Sequence, residues 1–145
     1  MAEERGFAVR SLGEIAIRCR DMEAMEAFYR DTIGLEVFAH RPTADDKRII
    51  FFKISEGFGG HTTVLALFRA EDGEPNTGEG SSLHHIALAV RWAEQDAAMD
   101  WLRSKGLPVR VEHFDWVGWR GVFTEDPDGN TVELVAARPE PETTA

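Results

Sequence analysis

A short strand-like segment occurs twice in the chain, and this repeat sets the expected architecture. Residues 14–19 read Glu-Ile-Ala-Ile-Arg-Cys, and residues 85–90, 71 positions later, read His-Ile-Ala-Leu-Ala-Val. Because side chains alternate between the two faces of a strand, each copy has one face of bulky aliphatic side chains and one face that contains alanine. Each copy also begins with a potential metal ligand on its alanine face, Glu14 in the first and His85 in the second. The repeat predicts two copies of one structural module.

The segments that follow each copy have the same order of apolar patterns. In the first half, the spacing predicts a strand, a helix and three more strands, at residues 12–19, 22–33, 35–39, 48–54 and 63–68. In the second half, the same series is predicted at residues 84–90, 93–105, 107–113, 119–124 and 131–136. Half a chain of this length is marginal as a separate domain. We therefore expect an α+β fold in which two βαβββ modules form an open, eight-stranded, cup-shaped sheet with the helices outside.

Composition shifts divide the chain into four parts. Residues 10–68 form the first predicted module and residues 83–137 the second. Between them, residues 69–82 are polar and rich in glycine and proline, which is typical of a linker. The tail, residues 138–145, is too polar and proline-rich to pack, and we expect it to be disordered.

Charge and composition argue against several classes of function. The net charge is −10, with no basic stripe, so neither nucleic acid nor an anionic membrane is an expected partner. No apolar run approaches the roughly 18 residues that span a bilayer. The first residues lack the form of a signal peptide, and a cytoplasmic location is therefore expected. The single cysteine, Cys19, excludes an internal disulfide and lies on the helix-facing side of its strand, where we interpret it as a core residue.

Several motifs carry a family resemblance. They are Asp21, Phe28-Tyr29 and Ile33-Gly34-Leu35 in the first half, and His84-His85-Ile86-Ala87 and the nine residues 126–134, Asp-Pro-Asp-Gly-Asn-Thr-Val-Glu-Leu, in the second. With these motifs, the chain resembles the vicinal oxygen chelate superfamily over about residues 10–137. That superfamily includes glyoxalase I, extradiol ring-cleavage dioxygenases, methylmalonyl-CoA epimerase, fosfomycin-resistance proteins and bleomycin-binding proteins.

The resemblance implies a divalent ion held by the first and last strands of each module. Carried over to this sequence, the second module supplies His85 and Glu133, and the first supplies Glu14, where many relatives have His or Gln. The last-strand position of the first module falls at Ala66, or at Leu65 if the register is one residue off, and neither side chain can coordinate. The three remaining ligands resemble by position those of ring-cleavage dioxygenases, which have a His in place of Glu14.

The proposed ligands can also be judged by their chemistry. One imidazole and two carboxylates suit Fe(II), Mn(II), Ni(II), Zn(II) or Mg(II), and leave coordination positions for adjacent substrate oxygens. In the alternative interpretation, His85 is a hydrogen-bonded structural residue, Glu133 faces solvent, and Glu14 pairs with an arginine, which leaves a bare pocket. We interpret His84 as structural, because strand alternation places it on the face opposite His85.

Two arginines and three aromatic residues are candidates for substrate binding. Arg18 and Arg120 could each bind an anionic substrate group, or could equally pair with a nearby acid. Trp116, Trp119 and Phe51 suit an apolar or aromatic ligand. A dimer interface would use the tryptophans just as well.

These observations predict an enzyme that acts on a small molecule and uses a divalent metal to polarise adjacent substrate oxygens. Isomerase or lyase chemistry is favoured over dioxygenase chemistry, because nothing in the sequence demands a redox site. Glu14, displaced from the ion, would be the catalytic base. The alternative is a metal-free ligand-binding protein of the bleomycin-resistance type, which the acidic composition and Trp116 and Trp119 favour. A homodimer is expected.

Overall fold

The computed structural model describes the chain in ranges, namely residues 5–41, 49–71, 75 and 77–140. The chain divides into two compact units, residues 1–75 and 76–145, and this boundary falls inside the predicted linker. Residue 48, where the third strand was expected to begin, lies outside the described residues. So do residues 72–74 and 76 of the predicted linker, and residues 141–145 of the tail for which we predicted disorder.

The first unit is a βαβββ module. Its elements are β1 (Glu14–Cys19), α1 (Met22–Ala27), β2 (Glu36–Arg41), β3 (Ile49–Phe58) and β4 (His61–Arg69). The strands lie in the order β1-β4-β3-β2, with β1 parallel to β4 and the other pairs antiparallel. Tyr29 and Phe52, both without exposed surface, pack with ring centroids 6.2 Å apart in the core of this unit. Cys19 is fully buried there, as predicted.

Helical structure covers nearly all of the predicted span 22–33, but only its first half is α-helical. The helix begins after Asp21, whose carboxylate accepts a hydrogen bond from the Ala24 amide at 3.0 Å. It then widens into a π-helical turn over Phe28–Thr32. The extra residue in this turn lets the adjacent rings of Phe28 and Tyr29 both reach the core, where they meet edge to face at 5.0 Å.

The hairpin between β3 and β4 is longer than expected. The two strands were predicted to end at residue 54 and to begin again at residue 63, but β3 continues to Phe58 and β4 begins at His61. Only Gly59 and Gly60 form the turn, with φ values of +63° and +83°. A two-residue hairpin turn with both residues at positive φ matches the twist of the flanking strands, and glycine adopts it without steric cost.

The second unit repeats the topology of the first. Its elements are β5 (Ile86–Ala89), α2 (Gln95–Ser104), β6 (Arg110–Phe114), β7 (Trp119–Glu125) and β8 (Thr131–Ala137). The strand order is β5-β8-β7-β6, again with one parallel pair, β5 and β8. The prediction of an α+β fold made of two βαβββ modules is confirmed, and the eight strands are hydrogen-bonded as two sheets of four.

Both helices are short: α1 has 6 residues and α2 has 10. Within the ranges that the structure describes, no helix is long and apolar enough to cross a membrane.

The two faces of the second sheet differ in chemistry. Leu102 of α2 packs on one face against Val122 and Leu134 and forms the core of this unit. The opposite face carries a row of four side chains that cross-strand pairing aligns, one from each strand: Ala87, Glu133, Phe123 and Arg110. We call this opposite side the Glu133 face.

Candidate functional site

His85 and Glu133 meet on the Glu133 face. The β5–β8 register pairs Ala87 with Glu133, and His85 lies two residues before Ala87. The imidazole Nε2 of His85 lies 3.0 Å from Oε1 of Glu133. The glutamate side chain is 4% exposed and the histidine side chain 32% exposed, so the pair has a buried acidic end and an accessible imidazole.

The second oxygen of Glu133 occupies a space that Gly121 leaves free. Oε2 is buried and has no hydrogen-bond partner among the described residues. A Cβ at position 121 would overlap Oε2 and would lie 2.9 Å from Cδ of Glu133 and 2.8 Å from the ring of Phe123. The buried position of the carboxylate therefore depends on glycine at residue 121.

Burial raises the pKa of Glu133 above the ordinary value for glutamate. His85 opposes this shift through its charge and its contact with Oε1, Glu112 adds to it by repulsion, and Arg110 opposes it by attraction. An unneutralised carboxylate is thus unfavourable in this position, and a cation beside it would stabilise its ionised form.

His84 also contacts His85, contrary to the separation that strand alternation implied. The two Nδ1 atoms lie 2.8 Å apart, which is a hydrogen-bonding distance with one nitrogen donating to the other. Alternation does not apply to this pair because β5 begins only at Ile86. Both ring nitrogens of His85 therefore have a partner, which restrains the orientation of the imidazole.

The His85–Glu133 pair fits part of a divalent-metal site. With metal–ligand bonds of about 2.1 Å, neighbouring ligands of an octahedral ion lie about 3.0 Å apart. The observed distance of 3.0 Å between Nε2 and Oε1 suits such an edge as well as a hydrogen bond. In the part of the chain that the structure describes, no group of three or more His, Cys, Asp or Glu residues is arranged to hold an ion. Glu14, the third predicted ligand, is an exposed residue at the start of β1 in the other unit, and its role stays a prediction.

The first unit has no carboxylate at the position that matches Glu133. Its β1–β4 register pairs Ala16 with Ala66, as Ala87 pairs with Glu133 in the second unit. The register thus selects Ala66 over Leu65 as the corresponding residue. Phe51 of β3 pairs with Ala66 and lies half-buried on the same face.

Arg18 lies two residues beyond Ala16 on β1 and is exposed. It borders a groove of about 690 Å³ that Phe68 and Arg69 of β4 also line. The binding of an anionic substrate group by Arg18 stays a prediction.

Arg120 lies on the face of β7 opposite to Gly121 and Phe123, and the structure does not bring it to His85 and Glu133. Its Nε donates to Oε1 of Gln95 at 2.5 Å, and its guanidinium carbon lies 3.9 Å from the ring centroid of Trp92. The contacts with Gln95 and Trp92 occupy the guanidinium of Arg120 and oppose the substrate role predicted for it. The alternative that the sequence left open was a pair with an acid, whereas the observed partners of Arg120 are an amide and an aromatic ring.

The two predicted tryptophans lie at the turn between β6 and β7. Trp116 is 86% exposed in this turn, and Trp119, at the start of β7, is 47% exposed. Trp119 borders a groove of about 700 Å³ with Trp92 and residues of β5 and β8. Both indoles are exposed and can contact a ligand or another chain, and their substrate role stays a prediction.

Three residues of the Glu133 face were not predicted from the sequence, namely Gly121, Phe123 and Arg110. Phe123 lies between His85 and Arg110. Its ring centroid is 5.9 Å from that of His85 and 4.3 Å from the guanidinium carbon of Arg110. Gly121 could have been suspected, since a glycine inside a predicted strand often marks a close approach. Arg110 and Phe123 had no comparable signal, because their proximity follows from the register between strands.

Comparison with known proteins identifies the family. The family model of the glyoxalase/bleomycin resistance protein/dioxygenase superfamily matches residues 11–134. The chain belongs to this superfamily. Over 131 residues it is 30% identical to the uncharacterized protein YwkD of Bacillus subtilis (strain 168), covering 87% of this chain and 96% of YwkD.

Solved structures share the fold of this superfamily member. FosX, a fosfomycin resistance protein from Listeria monocytogenes complexed with Mn(II) and sulfate, aligns with a TM-score of 0.65 and 17% identity over 90% of this chain and 94% of FosX. Lactoylglutathione lyase from Agrobacterium tumefaciens aligns with a TM-score of 0.62 and 24% identity over 86% of this chain and 92% of the lyase. At these identities the likeness concerns the fold, and enzymes are among the proteins that share it.

Proposed function

We propose that this protein is an enzyme that uses a divalent metal to act on a small molecule with two adjacent oxygen atoms, as an isomerase or lyase. The observation that carries the proposal is the His85–Glu133 pair, with Nε2 and Oε1 3.0 Å apart. Oε2 of the same buried carboxylate has no hydrogen-bond partner among the described residues. A buried carboxylate is unfavourable without a compensating cation, and imidazole is a second ligand that such cations accept.

His85 and Glu133 would hold the ion, with Glu14 as the third protein ligand. When bound, an ion such as Fe(II), Mn(II), Ni(II), Zn(II) or Mg(II) supplies Lewis-acid polarisation of the two substrate oxygens. The carboxylate of Glu133 is itself buried, and His84 restrains the ring of His85. When not bound to the ion, the exposed carboxylate of Glu14 would accept a proton from the substrate carbon and return it in an isomerisation.

Four side chains are proposed for contact with the substrate. Trp116, Trp119 and Phe51 offer aromatic surface, and Arg18 offers a guanidinium for an anionic group. We further propose that the protein is a homodimer.

The test is elemental analysis of gently purified protein, together with calorimetric titration of metal-free protein with Mn(II), Fe(II), Ni(II) and Zn(II). We expect one ion per chain and a loss of affinity of at least tenfold in His85→Ala and Glu133→Gln. Glu14→Ala tests the third ligand, and unchanged metal affinity would remove Glu14 from the site. His113→Ala is the matched control, since His113 is an exposed histidine on the other face of β6. Equal affinity in wild type and His85→Ala would contradict the proposal.

A second candidate function is metal-free ligand binding. It is favoured by the acidic composition and by the exposed indoles of Trp116 and Trp119. The titration separates the two functions. No binding of any of the four ions would leave the ligand-binding function, and the exposed indole of Trp116 would then be the first place to look for the ligand.

A further inference from the structure

Arg110 stands on the same face of the second sheet as the proposed metal ligands. Cross-strand pairing places Arg110 opposite Phe123, and Phe123 opposite Glu133. The ring of Phe123 lies 5.9 Å from the imidazole of His85 and 4.3 Å from the guanidinium carbon of Arg110, so the two ends are at most about 10 Å apart. A molecule of modest size could therefore contact both.

The guanidinium of Arg110 is held in place by two neighbours. It lies over the ring of Phe123, whose edges meet the rings of His85 and Phe114, the latter at 6.4 Å. Nη1 of Arg110 also pairs with Oε1 of Glu112. The contact with the ring of Phe123 orients the guanidinium, and the half-exposed pair with Glu112 adds a weak restraint, so Arg110 is positioned to bind a further group.

The remaining edge of this guanidinium is unused. Nε and Nη2 have no hydrogen-bond partner among the described residues, and the side chain is 55% exposed. These two N–H groups form the fork that matches a carboxylate or phosphoryl group with two parallel hydrogen bonds. The pair with Glu112 is half-exposed and therefore weak, and an oxyanion on the free edge need not displace it.

The charges on the Glu133 face also single out Arg110. The four described strands place three glutamates on this face, Glu112, Glu125 and Glu133, but only one lysine or arginine, Arg110. An ion at Glu133 would neutralise the acidic end of the row. An anionic substrate would then meet two separate positive points, the ion and Arg110.

A small groove next to Arg110 offers room for such a group. Its volume is about 220 Å³, and its lining includes Arg110, Phe123, Glu125 and Thr131. The groove therefore offers an oxyanion room beside the free edge of the Arg110 guanidinium.

We propose that Arg110 binds an oxyanion of the substrate, a carboxylate or phosphoryl group, and so restricts the substrates to small anionic molecules. This assignment rests on the proposed function, since it presumes that the two substrate oxygens lie at His85 and Glu133. The anionic group and the oxygen pair lie at opposite ends of one compact molecule, with Phe123 beneath the space between them.

The test compares three probes that differ only in their charged end: catechol, 3,4-dihydroxybenzoate and 3,4-dihydroxyphenylphosphonate. Their affinities are measured calorimetrically on Zn(II)-loaded and on metal-free protein, for wild type, Arg110→Gln and Arg110→Lys. We expect an anionic probe to bind wild type at least tenfold more tightly than catechol. Whichever of the two anionic probes binds more tightly identifies the oxyanion as carboxylate or phosphoryl.

Arg110→Gln should remove this preference and leave the affinity for catechol unchanged, whereas Arg110→Lys should retain part of it. Arg91→Gln is the matched control, because Arg91 is 88% exposed in the same unit and its loss changes the net charge equally. It should keep the full preference, and a loss there would reduce the effect to net charge and overturn the assignment.

The outcomes distinguish this assignment from the proposed function. If Zn(II) binds but Arg110→Gln weakens all three probes equally, or none of them, Arg110 is not the anion site and the metal proposal stands. If Zn(II) does not bind but the anionic preference is present and depends on Arg110, the metal proposal fails and Arg110 retains its role. Wild-type protein that binds none of the three probes would overturn the assignment of Arg110.

Discussion

Gly121 is an example of a single residue whose missing side chain shapes the site. The carboxylate of Glu133 fills the space where a Cβ would otherwise lie, and its Oε2 is turned into the sheet. Oε1 is thereby directed to His85 at 3.0 Å. A side chain at position 121 would have to displace either the carboxylate or the ring of Phe123.

Gly121→Ala should therefore disturb both stability and the site. We expect a loss of about 1–3 kcal/mol in the free energy of unfolding, as for other overpacked positions. We also expect a loss of metal affinity of about tenfold or more, as for other residues that orient ligands. Urea denaturation and calorimetry measure the two effects. Gly80→Ala is the control, since a Cβ at residue 80 meets nothing within 4 Å. A Gly121→Ala protein as stable as the control would show that Glu133 is not confined as described.

The raised pKa of Glu133 predicts a pH dependence of stability in metal-free protein. Burial makes the folded state bind this proton more tightly than the unfolded chain, whose glutamate pKa is near 4.5. Between 4.5 and the higher folded value, the folded state carries more protons, so the free energy of unfolding falls as pH rises. Below this window Glu133 is protonated in both states, and above it Glu133 is ionised in both, so its contribution to the slope vanishes.

Glu133→Gln should remove this part of the slope and make the protein more stable than wild type above the window. The measurement is urea denaturation of both proteins across a series of pH values from 4 upward. Glu125→Gln, which changes an exposed glutamate of the neighbouring strand, should keep the wild-type slope. Identical profiles for wild type and Glu133→Gln would contradict the shifted pKa.

The α2 helix is tied to the second sheet by one buried amide. Gln95, the first residue of α2, has no exposed surface. Its Nε2 donates to the carbonyl oxygens of Arg120 at 2.8 Å and of Leu134 at 3.1 Å, and its Oε1 accepts from Nε of Arg120. One side chain thus joins the start of the helix to β7 and β8 and keeps Arg120 on the helix side.

Gln95→Leu should destabilise the protein by about 2–4 kcal/mol, because the carbonyl and guanidinium groups that it satisfies would stay buried without partners. Chemical denaturation measures this loss. Asp96→Leu places the same side chain at the next, exposed position of the helix and should have a much smaller effect. Equal losses in the two variants would mean that the amide contacts contribute little.

The turn before β8 helps to position Glu133 next to His85. The carboxylate of Asp126 accepts hydrogen bonds from the amides of Asp128 and Asn130 and from the Asn130 side chain, at 2.8–3.0 Å. Gly129 completes the turn at a φ of +91°. With the chain reversed in this way, β8 enters the sheet in the register that places Glu133 opposite Ala87.

The two units share one topology but differ in the side chain at the matching position of the last strand. Each has a parallel pair between its first and last strands, flanked by antiparallel strands. At the matching position of the last strand, the second unit has Glu133 and the first has Ala66. The repeat in the sequence therefore preserves the backbone arrangement, while the polar side chains of the site are unequally shared.

The protein is predicted to form a homodimer in solution. Several large apolar side chains are exposed in the single chain, among them Trp116 at 86%, Phe7 at 70% and Phe58 at 58%. Exposed apolar surface of this kind favours association. Size-exclusion chromatography with light scattering should give about twice the chain mass of 16.2 kDa. A single-chain mass at all concentrations would contradict the prediction.

Trp116→Ala tests whether this tryptophan belongs to the dimer interface or contacts the substrate. If the indole belongs to the interface, the variant should dissociate at a higher protein concentration than wild type. If the indole contacts the substrate instead, the mass should be unchanged and ligand affinity should fall.

The order of strands and helices was predictable because it follows from local periodicity. Alternating apolar residues marked the strands, and the repeat at Glu14 and His85 indicated two βαβββ modules. Helix ends were less predictable, since the π-helical turn at Phe28–Thr32 depends on two rings sharing one core.

The motifs of the sequence also named His85 and Glu133, but their 3.0 Å separation depends on the pairing of β5 with β8. Registers between strands distant in the chain also brought Gly121 beneath the carboxylate, placed Arg110 on Phe123 and turned Arg120 toward α2. A single sequence carries periodicity within each segment. The contacts between segments arise only when packing selects one register among those that the same pattern allows.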